Sequence, residues 1–158
     1  CRVCYNKKIN ISFSNQSSPI GEAFVKKKNK DITQKKYPIN IVQCKNCGLS
    51  QLQHVVDPNI LYDNYLYETK TSYYLNNHYK LLSKKLINRF NLRKKNFIIE
   101  IGSNDGTLLN NFKNKGFNIL GIEPAIKISN IANQNNIRTI NEYFSSNLAE
   151  KISKKYGK

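Results

Sequence analysis

The apolar positions of this chain follow two different patterns. Up to about residue 96 they sit in short, partly alternating stretches. From residue 97 they gather into compact runs separated by glycine turns. INISF (9–13) and INIVQC (39–44) carry partial alternation and predict short strands, split by the lysine-rich stretch from Lys26 to Lys36. LSQLQHVV (49–56) predicts another strand, which Asp57-Pro58 brings to a stop. A short helical turn is expected from Asn59 to Tyr67, carrying Leu61, Tyr62 and Tyr65. Between Thr71 and about Leu92, Tyr74, Leu75, His78, Leu81, Leu82, Leu86, Ile87 and Phe90 recur at helical spacing, which predicts one long amphipathic helix.

The second pattern is strand followed by helix. FIIEIGSNDG (97–106) reads as an apolar strand running into glycines, with a helix over 107–115 that Gly116 closes. NILGIEP (118–124) is a second strand and 125–135 a second helix. IRTI (137–140) is a third strand, and a further helix starts near Ser146. Alternation of this kind with tight turns argues for an α/β fold with a parallel sheet.

Four cysteines occur as Cys1-x2-Cys4 and Cys44-x2-Cys47. Two such pairs offer four soft thiolates, the closed tetrahedral set that structural Zn²⁺ prefers, and Gly48 supplies the turn a zinc knuckle needs. The other readings are a pair of disulfides or a thioredoxin-like redox pair. A redox pair normally opens a helix after a strand, whereas Cys44-Lys45-Asn46-Cys47-Gly48 leads into a turn. With four thiolates present, His54 reads as a surface strand residue and His78 as a helix-face residue. The domain layout expected is a zinc-binding lobe over 1–57, a helical, Tyr-rich connector over 58–95, and the first half of a Rossmann-like sheet over 96–158.

The segment Glu100-Ile101-Gly102-Ser103-Asn104-Asp105-Gly106 sits where a first strand hands over to a first helix, and glycines there let the backbone approach a ligand. Glu123 ends the second strand, where Rossmann-like folds place a carboxylate for ribose hydroxyls. A nicotinamide site would want G-x-G-x-x-G, but Asn104 stands where its second glycine belongs. The spacing fits instead an adenosyl cofactor with no pyrophosphate to cradle. The plainer reading is an α/β domain whose glycines only make turns.

Composition changes this picture in one respect. The chain has 158 residues and a formal net charge of +16, which invites a nucleic-acid reading. Lys (22), Asn (24) and Ile (19) are abundant together while Arg numbers 4, the mark of a drift in nucleotide composition rather than of selection for phosphate grip. The charge is uneven: residues 1–96 carry 18 basic and 5 acidic side chains, residues 97–158 carry 8 and 5. That basic face fits either a merely solvated surface or the steering of an anionic substrate. A zinc-ribbon nucleic-acid module, with Tyr62, Tyr65, Tyr67, Tyr73 and Tyr74 as stacking platforms, is the competing reading. No apolar run approaches the roughly 20 residues of a membrane span; a cytoplasmic protein is expected.

IEIGSNDGTLL (99–109) and LGIEPA (120–125) resemble the first two motifs of class I S-adenosylmethionine-dependent methyltransferases. The chain is most similar to the sugar C-methyltransferases that carry an N-terminal zinc-binding domain. The leading C-x2-C, CKNCGLSQL (44–52), LYDNYLYETKTS (61–72) and NIRTINEYF (136–144) follow that group's pattern, except that Thr69-Lys70 stands where the group has a Ser pair. The resemblance implies that S-adenosyl-L-methionine is lined by Glu100, Gly102, Asn104 and Gly106, with Glu123 on its ribose. It implies methyl transfer to a carbon of a nucleotide-linked keto-deoxysugar. Zinc is held structurally by Cys1, Cys4, Cys44 and Cys47. Tyr65 and Tyr67 are the side chains of this portion suited to the chemistry, or else pack between lobe and sheet. The partner expected is a small molecule, with no membrane and no nucleic acid; a methyltransferase acting on another small molecule stays open. Family members continue with further strands and a C-terminal domain, so this chain is expected to be an N-terminal portion, inactive alone, with its first parallel strand left as an exposed edge.

Overall fold

A computed structural model describes residues 1–21, 23–62 and 65–157. The chain divides into two compact units, residues 1–61 and 62–158.

The first unit is built on β1 (Ile9–Phe13), β2 (Ile41–Cys44) and β3 (Ser50–Leu52), an antiparallel sheet in the order β1-β2-β3. Ile9 pairs with Cys44 and Ile11 with Val42, and the register shifts before Phe13 meets Ile41. Val42 and Cys44, 1% and 2% exposed, are the buried apolar side chains of this unit among the described residues. Such a core is too small to hold 61 residues by burial alone, so a metal or a partner surface must contribute. The strand expected over 49–56 stops at Leu52, after which the Gln53 N–H donates to the Asn40 carbonyl at 2.8 Å and the chain bends. α1 (Pro58–Tyr62) follows. Asp57 caps it by accepting the Asn59 N–H at 2.9 Å, and Pro58 takes the first helical position, where its missing N–H costs nothing. The helical turn expected to reach Tyr67 ends at Tyr62; residues 63 and 64 lie outside the described residues.

In the second unit, a single 3-10 turn (Thr69–Thr71) leads into α2 (Tyr73–Arg89), whose N-cap Ser72 accepts the Leu75 N–H at 3.3 Å. The helix is shorter at both ends than its apolar periodicity predicts. Ser72 takes the cap, and Asn91 adopts a left-handed conformation at φ 48° that the helix cannot continue through. There follow β4 (Phe97–Ile101), α3 (Thr107–Lys113), β5 (Asn118–Ile122), α4 (Ile126–Gln134), β6 (Thr139–Ile140) and α5 (Ser146–Tyr156). The three strands form a parallel sheet in the order β4-β5-β6, with Phe97 beside Asn118, Ile101 beside Ile122 and Ile122 beside Ile140. Helices pack on both faces of this sheet, over β5 on one side and over β4 and β5 on the other. Leu120 and Ile122 pack against Leu148 and Ile152 of α5, and Phe97 stacks on Tyr156 at 4.8 Å. On the other face Ile98 and Ile119 meet Leu109 of α3, Ala132 of α4 and Ile137. β4 lies at the edge of the sheet, with Ile99 and Ile101 42% and 58% exposed, as expected for a chain that carries only these strands. No helix among the described residues is long and apolar enough to cross a membrane.

Candidate functional site

The two C-x2-C segments fold alike. Tyr5 N–H donates to the Cys1 carbonyl and Gly48 N–H to the Cys44 carbonyl, both at 3.0 Å. Each turn is completed by a residue at positive φ, Tyr5 at 56° and Gly48 at 74°. Glycine meets that demand at no steric cost, and Tyr5 meets it as an exception. The turns bring all four sulfur atoms within 4.8 Å of one another. Cys1 and Cys47 Sγ are 3.7 Å apart, and Cys4 and Cys44 Sγ 3.5 Å. A tetrahedron of sulfurs about 2.3 Å from Zn²⁺ has edges of about 3.8 Å, so the donor set fits the metal. The cysteines are free thiols, so the pair of disulfides is not what this structure contains. The backbone N–H of Asn6, pointing at Cys4, is the main cause that lowers this thiol to about 7 and favours the thiolate a metal needs.

In the second unit the glycine turn lies at the carboxyl end of β4. Gly102 and Gly106 adopt φ 70° and 78°, and Asn104 the left-handed 49°. Gly102 and Ser103 N–H groups both donate to the Ile122 carbonyl, at 2.8 and 3.1 Å, which clamps the turn to the end of β5. Glu123 is 5% exposed and holds the turn from the other side. Its Oε2 accepts the Asn104 N–H and its Oε1 the Ala125 N–H, both at 2.9 Å. Each carboxylate oxygen keeps a second acceptor position, so two further donors can be met.

A cavity of about 200 Å³ opens between these elements, lined by Gly102, Glu123, Pro124, Tyr62, Tyr143 and Phe144 among others. At Gly102 an added Cβ would meet nothing within 4 Å, so this backbone faces open space. Tyr62 and Tyr143 are in edge contact at 6.2 Å, and Tyr62 and Tyr65 at 5.8 Å. The cavity thus joins two backbone-bound carboxylate oxygens to an aromatic wall, which fits a ribose and an aromatic base. Ser103 Oγ is a buried hydroxyl of the same turn that no described group satisfies.

Not every residue singled out in the sequence faces this cavity. Gly102 and Glu123 do. Asn104 turns its side chain away: Oδ1 accepts the Thr69 N–H at 2.9 Å and Nδ2 donates to the Tyr67 carbonyl at 3.0 Å. Gly106 faces the core, since a Cβ there would lie 2.5 Å from Ile137 Cγ2. Glu100 lies beside a separate apolar hollow with Leu86, Phe90 and Leu109, and its Oε2 is buried with no hydrogen-bond partner among the described residues. Burial, and then the nearby Asp105, push its carboxyl up to about 7. Tyr67 is 38% exposed, and Tyr65 sits in the aromatic contact with Tyr62.

One further tether bears on the turn. Asp105, 5% exposed, accepts the Lys70 N–H at 2.8 Å and the Thr107 N–H at 3.1 Å, so the Tyr-rich segment is fastened to the turn at Asn104 and Asp105 alike. Tyr79 of α2 has its hydroxyl pushed up by burial and then by the charge of Glu100. Sequence reasoning did not assign Tyr143 and Phe144 to a site, and took Tyr62 only as a stacking platform of the nucleic-acid reading. The signal was present as an aromatic pair directly after the third strand, but nothing in the periodicity says which face of a loop an aromatic ring takes.

Residues 1–62 match a methyltransferase family model described as "Putative zinc binding domain". The chain is 27% identical over 157 residues to the C-methyltransferase NovU of Streptomyces niveus, which covers 99% of this chain and 37% of that relative. The chain therefore spans little more than a third of the length of the curated relative it matches. Residues 1–62 are thus similar to a zinc-binding domain found with methyltransferases, and the chain over nearly its whole length is similar to part of a C-methyltransferase.

Proposed function

We propose that this chain supplies the zinc-binding lobe and the cofactor half-site of an S-adenosyl-L-methionine-dependent C-methyltransferase whose acceptor is a nucleotide-linked keto-deoxysugar. The observation that carries the reading is the cavity that places Gly102 and Glu123 on one wall and Tyr62, Tyr143 and Phe144 on another. The parallel order β4-β5-β6 and the exposed edge of β4 support a Rossmann-like half-sheet that further strands of a longer protein would extend. Zinc, held by Cys1, Cys4, Cys44 and Cys47, is structural, because four thiolates leave no open position for a substrate.

When bound, the cofactor supplies an electrophilic methyl on a sulfonium. The work of the chain is to bind and orient. Glu123, whose two oxygens each keep a free acceptor position, would hold the ribose hydroxyls. Gly102 lets the ligand come close to the backbone, and Tyr143 and Phe144 exclude water from the base. A base must take the proton next to the acceptor's ketone, and a donor must stabilise the oxygen as its charge develops. Tyr67, 38% exposed and joined to the glycine turn through its carbonyl, which accepts from Asn104 Nδ2, is the side chain we assign to donate to that oxygen, with Tyr65, packed on Tyr62, assigned beside it. The acceptor is a small molecule rather than nucleic acid or membrane.

Photolabelling with S-adenosyl-L-[methyl-³H]methionine tests this reading. The label should map to peptides containing Tyr62 or Tyr143–Phe144 and should be blocked by S-adenosylhomocysteine. Label confined to residues 1–61 would contradict it.

A further inference from the structure

A hollow in the first unit has none of the four cysteines in its lining. It measures about 540 Å³, within the roughly 300–1,000 Å³ typical of small-molecule sites. Its walls are aliphatic and proline side chains, with polar groups at a few points: Arg2, Ser18, Tyr37 and His54. For a unit whose buried core is Val42 and Cys44, a hollow of this size is not leftover packing space.

The walls are tied together by the main chain. Ser18 and Tyr37 exchange hydrogen bonds at 3.0 and 2.8 Å, joining the segment at Pro19–Ile20 to the one at Pro38–Ile39. That second segment is fastened to the third wall by the Gln53 N–H on the Asn40 carbonyl at 2.8 Å and by Asn40 Nδ2 on Gln53 Oε1 at 3.1 Å. The hollow is therefore formed before anything enters it. Leu52 and Val55, 49% and 61% exposed, leave apolar lining open to an occupant.

The polar groups say what kind of occupant fits. Tyr37 and His54 stack with centroids 5.8 Å apart and planes at 29°, which makes a flat aromatic pair on one wall. Lys35 Nζ lies 5.3 Å from the Tyr37 ring centroid. Arg2 is held in place by Nη1 on Gln51 Oε1 at 3.1 Å and by Nη2 on the Leu52 carbonyl. Those two bonds leave three of the five guanidinium N–H groups, and among the described residues no carboxylate lines the hollow. A flat aromatic pair, proline walls and a pre-positioned guanidinium with no carboxylate among the described lining residues fit a flat ring joined to an anion. An aliphatic chain would use none of these polar groups.

We propose that the hollow bounded by Arg2, Tyr37 and His54 is a binding site for a heteroaromatic ring that bears an anionic group, with the ring against the Tyr37–His54 pair and the anion at Arg2. Nucleoside monophosphates are the simplest compounds of this class. The site is independent of the methyl-transfer reading and stands or falls without it.

The zinc-loaded chain is titrated with uridine and guanosine 5′-monophosphate, with the two nucleosides as ring-only probes and with inorganic phosphate as the anion-only probe. Binding is followed by the NMR resonances of the His54 and Tyr37 rings. The proposal predicts saturable one-to-one binding of at least one nucleotide, at least tenfold weaker for its nucleoside and for phosphate. Tyr37→Leu and Arg2→Gln should each weaken it at least tenfold with one zinc per chain retained, and Lys80→Gln in the other unit should leave it unchanged. Phosphate binding as tightly as the nucleotide would mean simple attraction to a chain of charge +16 and would overturn the proposal. So would a nucleoside binding as tightly as its nucleotide, or ring resonances that no probe moves.

Discussion

Glu123 Oε2 accepts the main-chain N–H of Asn104 at 2.9 Å, so the acid that ends one strand holds the glycine turn that ends its neighbour. With Oε1 on the Ala125 N–H, this buried carboxylate shapes the site before any ligand arrives. Removing it therefore affects folding as well as binding. Glu123→Ala leaves two buried N–H groups unsatisfied and should cost about 2–4 kcal/mol, a fall in Tm of roughly 10 °C or more. Glu123→Gln keeps one carbonyl acceptor and should lose less. Thermal melts decide the point: a Glu123→Ala variant that melts like wild type would show that the two hydrogen bonds carry no weight.

Gly106 combines a positive φ with a close neighbour, Ile137 Cγ2, 2.5 Å from where a Cβ would stand. Gly106→Ala should destabilise the second unit by about 2–4 kcal/mol through backbone strain and overpacking together. Shortening Ile137 to Val or Ala should make the Gly106 substitution less costly than it is in the wild-type background. Denaturant midpoints of the four chains in this cycle give the coupling, and strict additivity would mean that the contact is not the cause.

Glu100 should make the second unit lose stability as pH rises. Its folded carboxyl, pushed up from 4.5 to about 7 by burial and Asp105, binds a proton more tightly than the unfolded chain does. The folded state is thus favoured below about pH 4.5, and this contribution is lost as pH climbs through 7. Glu100→Gln should be more stable than wild type at pH 8 by about 1–3 kcal/mol, with the gap closing near pH 5. Equal stability of the two chains across that range would contradict the burial of this side chain.

Zinc should be present at one ion per chain and should matter to the first unit only. Its buried apolar side chains, Val42 and Cys44, cannot hold that unit by themselves, whereas four thiolates on zinc contribute folding free energy directly. Chelation, or Cys44→Ser, should collapse the dispersion of resonances from residues 1–61 while those of the Leu120, Ile122, Leu148 and Ile152 cluster stay in place. A first unit that stays folded without metal would overturn the structural assignment.

Much of this was legible in the chain because the relevant constraints are local. The C-x2-C spacing, the glycines after β4 and the acid after β5 each follow from what a short turn demands, and the structure brings Gly102 and Glu123 to one cavity. The rest depends on contacts between distant segments. Asn104 and Gly106 stand in the same motif, yet one is fastened to Tyr67 and Thr69 and the other to Ile137, partners more than 30 residues away in sequence. The strand over 49–56 was read too long because Val55 and Val56 keep an apolar pattern; they serve the wall of a hollow instead of a ladder. Tyr37 and His54 lie 17 positions apart, and only the antiparallel pairing of their segments stacks one ring on the other.

Calorimetric titration of the zinc-loaded chain with S-adenosylhomocysteine, beside a Phe144→Ser variant, bears most directly on the cofactor half-site. The account predicts saturable one-to-one binding that the variant weakens at least tenfold while its melting stays close to wild type. A folded wild-type chain that shows no heat of binding, or a variant that binds as wild type does, would contradict it.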